Sequence, residues 1–237
     1  MSIHESQKLL APQETHWIPL ADLMTGLMMI FLLISIVYMV KVEADSNQVK
    51  HIATDYSALR LQLYEDLHAE FAEDLPKWGA ELDRDMTIRF REPDVLFDTG
   101  SDNLKPRFEA ILDDFFPRYV RILTSEKYRD SIKEVRIEGH TSSVWTNSTS
   151  QQDAYFKNMA LSQARTRSVL QYVMGLNAVS DNLPWLRSFV TANGLSSAKP
   201  VTNTDGTEDM ARSQRVEFRV RTDADSRMAK MLEALPQ

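Results

Sequence analysis

An unbroken apolar run near the amino terminus constrains this chain more than any other feature. From Leu23 to Val40 the sequence LMTGLMMIFLLISIVYMV carries no charge over eighteen residues, and as a helix it spans about 27 Å. Extended back to Pro19 it is long enough to cross a bilayer. A cleaved secretory leader fits poorly, because Lys8 is the only Lys or Arg before Trp17 and no small-x-small site follows in VYMVKVEADS. The segment therefore reads as an uncleaved anchor over residues 17–41, behind a short tail of residues 1–16. Trp17 and Tyr38 stand near its two ends, where amphipathic rings favour the membrane interface, and Pro19 suits a first helical turn. Lys8 on one side and Lys41 and Lys50 on the other leave the orientation undecided by charge alone.

Asp22 lies about one turn inside the apolar stretch. An ionised carboxylate costs roughly 2.5–3.5 kcal/mol at mid-membrane, and less near the edge. Two readings are open: a carboxylate that snorkels to the interface, or an ion site facing a partner. Apolar surroundings favour the neutral form of a carboxylic acid, so an Asp here can hold a proton when sealed and release it when a water path opens. Thr25 and Gly26 share its face, adding a hydroxyl and a place for close helix approach.

The residues Ala21-Asp22-Leu23-Met24-Thr25-Gly26-Leu27-Met28-Met29-Ile30-Phe31-Leu32 resemble the ADxMTxxMxxFL signature of MotB-type stator subunits. The resemblance implies two copies of this helix inside a ring of five MotA- or ZorA-like membrane subunits, with Asp22 carrying the coupling ion. A Thr rather than a Ser at position 25 implies protons instead of sodium. It also implies an inner-membrane protein with its amino terminus in the cytoplasm and its carboxy-terminal domain in the periplasm. No cofactor is expected beyond H+ or Na+ as the coupling ion.

Composition narrows the remaining classes. With 34 acidic against 27 basic residues, a formal charge of -7 and no Lys/Arg block, nucleic acid is not an expected partner. No cysteine is present, which excludes disulfides, thiolate metal sites and a cysteine nucleophile. After Lys41, the positions Val49, Ile52, Tyr56, Leu59 and Leu63 step by 3, 4, 3 and 4, the seam of a two-stranded coiled coil. Leu67, Phe71 and Leu75 then drift to steps of 4, and Pro76 and Gly79 punctuate the run. Residues 42–85 thus form a helical linker that either dimerises or packs on its own domain.

Beyond it, residues 86–91 alternate as a strand, 107–123 have helical periodicity, and 132–138 form a second strand ending at Gly139. A second helix occupies 158–174, a turn and short helix 177–188, and two more strands 190–193 and 215–221. The fold class is α+β: one N-terminal transmembrane helix, a helical linker, and a βαβαββ domain over residues 86–222 with helices on a mixed sheet. Residues 223–237 read as a terminal helix.

Four motifs resemble the OmpA-like peptidoglycan-binding domain over roughly residues 87–221. They are Val95-Leu96-Phe97-Asp98-Thr99-Gly100-Ser101, Gly139-His140-Thr141, Asn158-x-x-Leu161-Ser162-x-x-Arg165 and Arg212-Ser213-Gln214-Arg215-Val216-Glu217. Asn158, Leu161 and Arg165 fall within about 60° of one helical stripe, so an amide and a guanidinium can face one ligand over an apolar floor. By this resemblance Thr141, Ser142, Asn158, Leu161, Arg165 and Arg215 bind peptidoglycan, with Arg165 gripping a stem carboxylate through its planar fork. The family commonly reads GHTD, whereas this chain has Gly139-His140-Thr141-Ser142-Ser143. Either Asp153 supplies the missing negative charge or affinity for the stem's ammonium falls.

His140 beside Ser142 lacks the nucleophile elbow and orienting acid of a hydrolase, and residues 98–103 lack the ligand spacing and closing Glu of an EF-hand. No enzymatic activity is expected, and residues 98–103 read as a turn. The combined resemblance implies a stator-type motor subunit. The short non-basic tail and the altered loop point toward Zorya-type anti-phage systems ahead of flagellar MotB. A passive wall tether is the alternative from another class, and it requires no buried acid.

Overall fold

The computed structural model describes the backbone of residues 17–91 and 96–223, and side chains there except at 17–19 and 45–57. The amino-terminal tail, the rings of Trp17 and Pro19, the seam positions Val49, Ile52 and Tyr56, Val95 and the terminal helix beyond Asp223 lie outside these described residues. The chain divides into two compact units, residues 1–52 and 53–237. Helix α1 (Trp17–Phe71) begins in the first. Its stretch Leu20–Ala44, 25 residues containing an 18-residue window of mean hydropathy 2.5, is not buried anywhere along its length. That is long and apolar enough to cross a bilayer core of about 30 Å.

In the second unit, Leu63, Leu67 and Phe71 of α1 and Leu75 after it are buried in the domain's own core, with Leu59 partly so. Steps of four place them on one stripe. Of the two readings of this stripe, packing on its own domain accounts for Leu63 onward. Arg118 fixes the contact. Its Nε and Nη1 donate to Glu70 Oε1 at 2.8 Å and Asp74 Oδ2 at 2.9 Å, and its guanidinium lies 4.9 Å from the Phe71 ring centre.

Five strands make one sheet: β1 (Ala80–Leu82), β2 (Thr87–Phe90), β3 (Ile132–His140), β4 (Val190–Gly194) and β5 (Arg215–Thr222). Their order is β1-β2-β5-β3-β4, and only the β3–β4 pair is parallel. The mixed sheet with helices agrees with the α+β reading. β1 is an addition in front of the βαβαββ order, because three residues are too few to show alternation. Helix α2 (Pro106–Leu123) starts on a proline and buries Phe108, Ile111, Leu112, Phe115, Phe116 and Tyr119. Phe115 and Phe218 meet at 5.1 Å between ring centres, joining α2 to β5.

Helix α3 (Gln151–Met174) begins two turns earlier than its apolar pattern shows. Ser150 caps it, accepting from Asp153 N at 3.1 Å, while Asp153 Oδ2 accepts from Thr149 N at 2.9 Å. Two 3-10 turns and the short helices α4 (Leu183–Phe189) and α5 (Met210–Ser213) complete the described chain.

The seat of α3 is set by glycine. Gly139 and Gly194 are register partners on β3 and β4. A Cβ at Gly194 would stand 2.3 Å from Gln163 N, and one at Gly139 would stand 2.8 Å from Ser162 O, both backbone atoms of α3. Only residues without a side chain allow the helix this close. Gln163 also closes the open edge of β4, accepting from Gly194 N at 2.7 Å and donating to Ala192 O at 3.3 Å. Gly194→Ala should therefore lower stability by about 1–3 kcal/mol through overpacking against backbone that cannot yield. The check is the melting temperature of the full chain in detergent, and an unchanged value would contradict this seating.

Candidate ligand-binding groove

Where α3 rests on the glycine pair, three chain segments meet at the ends of β3 and β4. Leu195 N donates to Gly139 O at 2.9 Å, Thr141 N to Ser196 O at 3.0 Å, and Ser196 N to Ser162 Oγ at 3.0 Å. Beside this junction opens a groove of about 390 Å³. α3 contributes Asn158, Leu161 and Arg165, the loop after β3 contributes Thr141, Ser142, Val144, Trp145 and Thr146, and the turn before α2 contributes Phe97, Thr99 and Gly100. Met210 and Gln214 close the remaining side.

Arg165 is only 7% exposed. Its Nε donates to Ser101 O at 2.8 Å and its Nη2 to Asp98 O at 3.1 Å, and the guanidinium lies 4.8 Å from the Phe97 ring centre. The turn of residues 98–103 that receives it is drawn tight by Ser101 N to Asp98 O at 3.0 Å, with Gly100 at φ +69°. No carboxylate among the described residues forms an ion pair with this guanidinium, and Nη1 makes no hydrogen bond among them. Burial pulls its pKa down from the ordinary arginine value, against a smaller opposing pull from the charge of Asp102. A buried cation held by carbonyls and an aromatic face, with donors left over at a groove, is a site for an anion.

Of the residues singled out from sequence, Thr141, Ser142, Asn158, Leu161 and Arg165 line this groove together. Arg215 does not line it. Its Nε donates to Glu217 Oε1 at 2.7 Å and its Nη1 to Ser213 O at 2.9 Å. Asp153, considered as a substitute acid, is not a groove residue either. It caps α3 and pairs with Lys157 at 2.8 Å, so its charge is already answered. Val144, Trp145, Thr146 and Met210 lie outside the motifs quoted above, although a Trp in the polar stretch SSVWTNSTS was a visible signal. In the first unit, Asp22 is exposed and Thr25 Oγ1 donates to Ala21 O at 2.7 Å. The hydroxyl's hydrogen is thus used by the helix, leaving its oxygen as an acceptor.

A second polar cluster lies on the sheet face away from α3. Ligand atoms of Glu138, His140 and Glu217 fall within 4.8 Å of one another, all three residues buried. The geometry would suit a metal ion, but the charges oppose it. Arg89 Nε and Arg215 Nε both sit 2.7 Å from Glu217 Oε1, and Arg219 lies 3.7–3.8 Å from Glu217 and Glu138. His140 Nε2 is 3.5 Å from Glu217 Oε2, in electrostatic contact without a hydrogen bond. Burial, ahead of its charged neighbours, pushes the His140 pKa down. For Glu217 burial opposes ionisation, but His140, Arg89 and Arg215 prevail and hold its carboxyl well below the ordinary range.

The depressed Glu217 sets a direction for acid stability. Its contribution is complete above the ordinary glutamate value of 4.5 and is lost as pH falls from there toward its lower folded value. Glu217→Gln should cost about 3–5 kcal/mol near neutral pH by removing the carboxylate that answers the buried Arg215, while the half-buried Arg89 keeps Asp83 at 2.8 Å. It should also flatten the decline of melting temperature below pH 4.5. Melting curves across pH for both proteins check this, and parallel curves would refute it.

Comparison with known proteins places these features. Residues 96–214 match the model of the OmpA family. The chain is 48% identical over 219 residues to the Zorya protein ZorB of Escherichia coli strain Crooks, covering 92% of each. Among solved structures it is similar to a MotB-like protein from Desulfovibrio vulgaris, with TM-score 0.51 and 24% identity over 72% of this chain and 96% of that one. It is also similar to the periplasmic domain of Helicobacter pylori MotB, with TM-score 0.40 and 17% identity over 62% and 84% of the two chains.

Proposed function

Because the chain belongs to the OmpA family and to the family of the Zorya protein ZorB, we propose that it is the stator-type membrane subunit of a Zorya-like anti-phage motor. It crosses the inner membrane once through the apolar part of α1, with its amino terminus in the cytoplasm. Two copies sit within a ring of MotA- or ZorA-like subunits, and Asp22 passes protons. Its periplasmic domain holds the assembly to peptidoglycan.

The observation that carries the anchoring role is Arg165: a guanidinium 7% exposed, unpaired with any carboxylate among the described residues, on the wall of an open groove. A stem-peptide carboxylate is its complement, gripped through the fork donors that the backbone leaves free. Asn158, whose Nδ2 donates to Val144 O at 3.3 Å, ties the loop wall to the helix wall so that the groove keeps its width. The motor role rests on Asp22 in an apolar span that needs no acid merely to anchor. Each charge crossing 100 mV releases about 2.3 kcal/mol, so ion flow past this residue is an adequate source of torque.

The passive tether predicts different behaviour at Asp22. In the motor, Asp22→Asn leaves a folded chain that still co-sediments with purified sacculi, while protection against phage is abolished in cells that also make the ring subunit. In the tether, protection is unaffected. Arg165→Ala should weaken sacculus binding by at least about tenfold, the worth of a charge-assisted hydrogen bond. Undiminished sacculus binding by that variant would remove the groove from the wall-binding role.

A further inference from the structure

Of the three large apolar side chains that the described residues expose beyond α1, Val144, Phe156 and Met210, two line the groove. Val144 is 53% exposed and Met210 50%. Trp145, also in the lining, is half-buried. Among the described residues its ring meets no other aromatic ring, and its Nε1–H has no acceptor. Apolar surface gathered at one groove, with an uncommitted indole in it, marks a second recognition element besides the Arg165 guanidinium.

The loop holds this indole in place. Asn158 Nδ2 donates to Val144 O at 3.3 Å, Lys157 Nζ to Asn147 O at 3.5 Å and Ser148 N to Trp145 O at 3.3 Å, with Asn147 at φ +60°. The backbone on both sides of Trp145 is thus tied to α3, so little freedom is left to lose when a ligand arrives. The same ties fix a distance. Asn158 precedes Arg165 by seven residues, about 10 Å along the helix axis. A carboxylate held at Arg165 is joined to a group at the Asn158 end by about three residues of extended peptide. In a stem whose diamino acid is third in line, that length leads back to the sugar.

The polar part of the lining agrees. Thr141 Oγ1 is buried without a hydrogen-bond partner, and the neutral side chains of Thr146 and Gln214 also line the groove. Neutral donors and acceptors suit hydroxyl and acetamido groups. The C–H groups of a pyranose carry slight positive charge and meet the negative face of an indole. An alanine methyl of the stem is the other apolar group within reach, but it presents no flat face and needs only Val144 or Met210. We infer that Trp145 is a specificity-determining residue of this groove and stacks on the pyranose ring of the N-acetylated sugar that carries the stem. The inference rests on the peptidoglycan reading above.

The test uses the full chain in detergent and two soluble probes, a stem tripeptide still joined to its N-acetylated sugar and the same tripeptide without it. The wild-type chain should bind the sugar-bearing probe about fivefold more tightly, as one ring contact is worth. Trp145→Ala should lose this preference and bind the two probes alike, whereas Trp145→Phe, which keeps an aromatic face, should retain most of it. A ring that only braces the loop would change affinity for both probes by the same factor and leave their ratio as in wild type. Trp145→Ala with an undiminished ratio, or a wild type that binds both probes equally, overturns the inference and leaves the wall-binding reading standing. A wild type that binds neither probe overturns that reading and the inference with it.

Discussion

Close backbone approach at one point organises the carboxy-terminal domain. α3 can sit on β3 and β4 only because Gly139 and Gly194, register partners, present no side chain to Ser162 and Gln163. That contact fixes the height and rotation of the helix, and with them the stripe of Asn158, Leu161 and Arg165. The same contact brings the loops after β3 and β4 together, so that Thr141 N reaches Ser196 O and Ser196 N reaches Ser162 Oγ. Groove, helix stripe and loop wall are consequences of one packing decision. Additional methylenes there would shift all three at once.

Two arginines near this junction, equally buried, differ in what meets their charge. Arg215 is buried against Glu217, which Arg89 also grips, and the charges answer one another inside the fold. Arg165 is buried to the same degree but is met by carbonyls and the Phe97 face. Leaving a buried charge without a counter-ion costs several kcal/mol, and a protein retains such a group where a ligand supplies the missing charge. The sequence motifs contain both residues, and the resemblance counts both as ligand-binding. Only the partners in the structure separate them.

Local signals were legible and distant ones were not. The stretch long and apolar enough to cross a membrane was visible because eighteen consecutive uncharged residues are more than the core helix of a water-soluble domain ordinarily carries. The stripe on α3 was visible because its members are separated by helical intervals. The start of α3 was missed because its first two turns, QQDAYFK, carry no apolar period, although Ser150 and Asp153 stand at the spacing of a capping pair. The linker stripe was ambiguous because Leu63, Leu67 and Phe71 have the same spacing whether they meet a second copy or their own core. In the fold they meet their own core. Asp153 was a natural substitute for the absent loop acid by sequence proximity. The carboxylate that does hydrogen-bond this loop, Glu208, could not be found that way, since its tie to Ser143 spans 65 positions and is made by tertiary folding alone.

The proposed function makes the groove beside α3 the place where the cell wall is held. A structure of the full chain with a bound peptidoglycan stem peptide decides the matter. It should show a stem carboxylate within hydrogen-bonding distance, about 2.7–2.9 Å, of the Arg165 guanidinium, with the peptide between Trp145 and Leu161. A peptide bound on the arginine-rich face of the sheet, with the groove empty, would contradict that assignment.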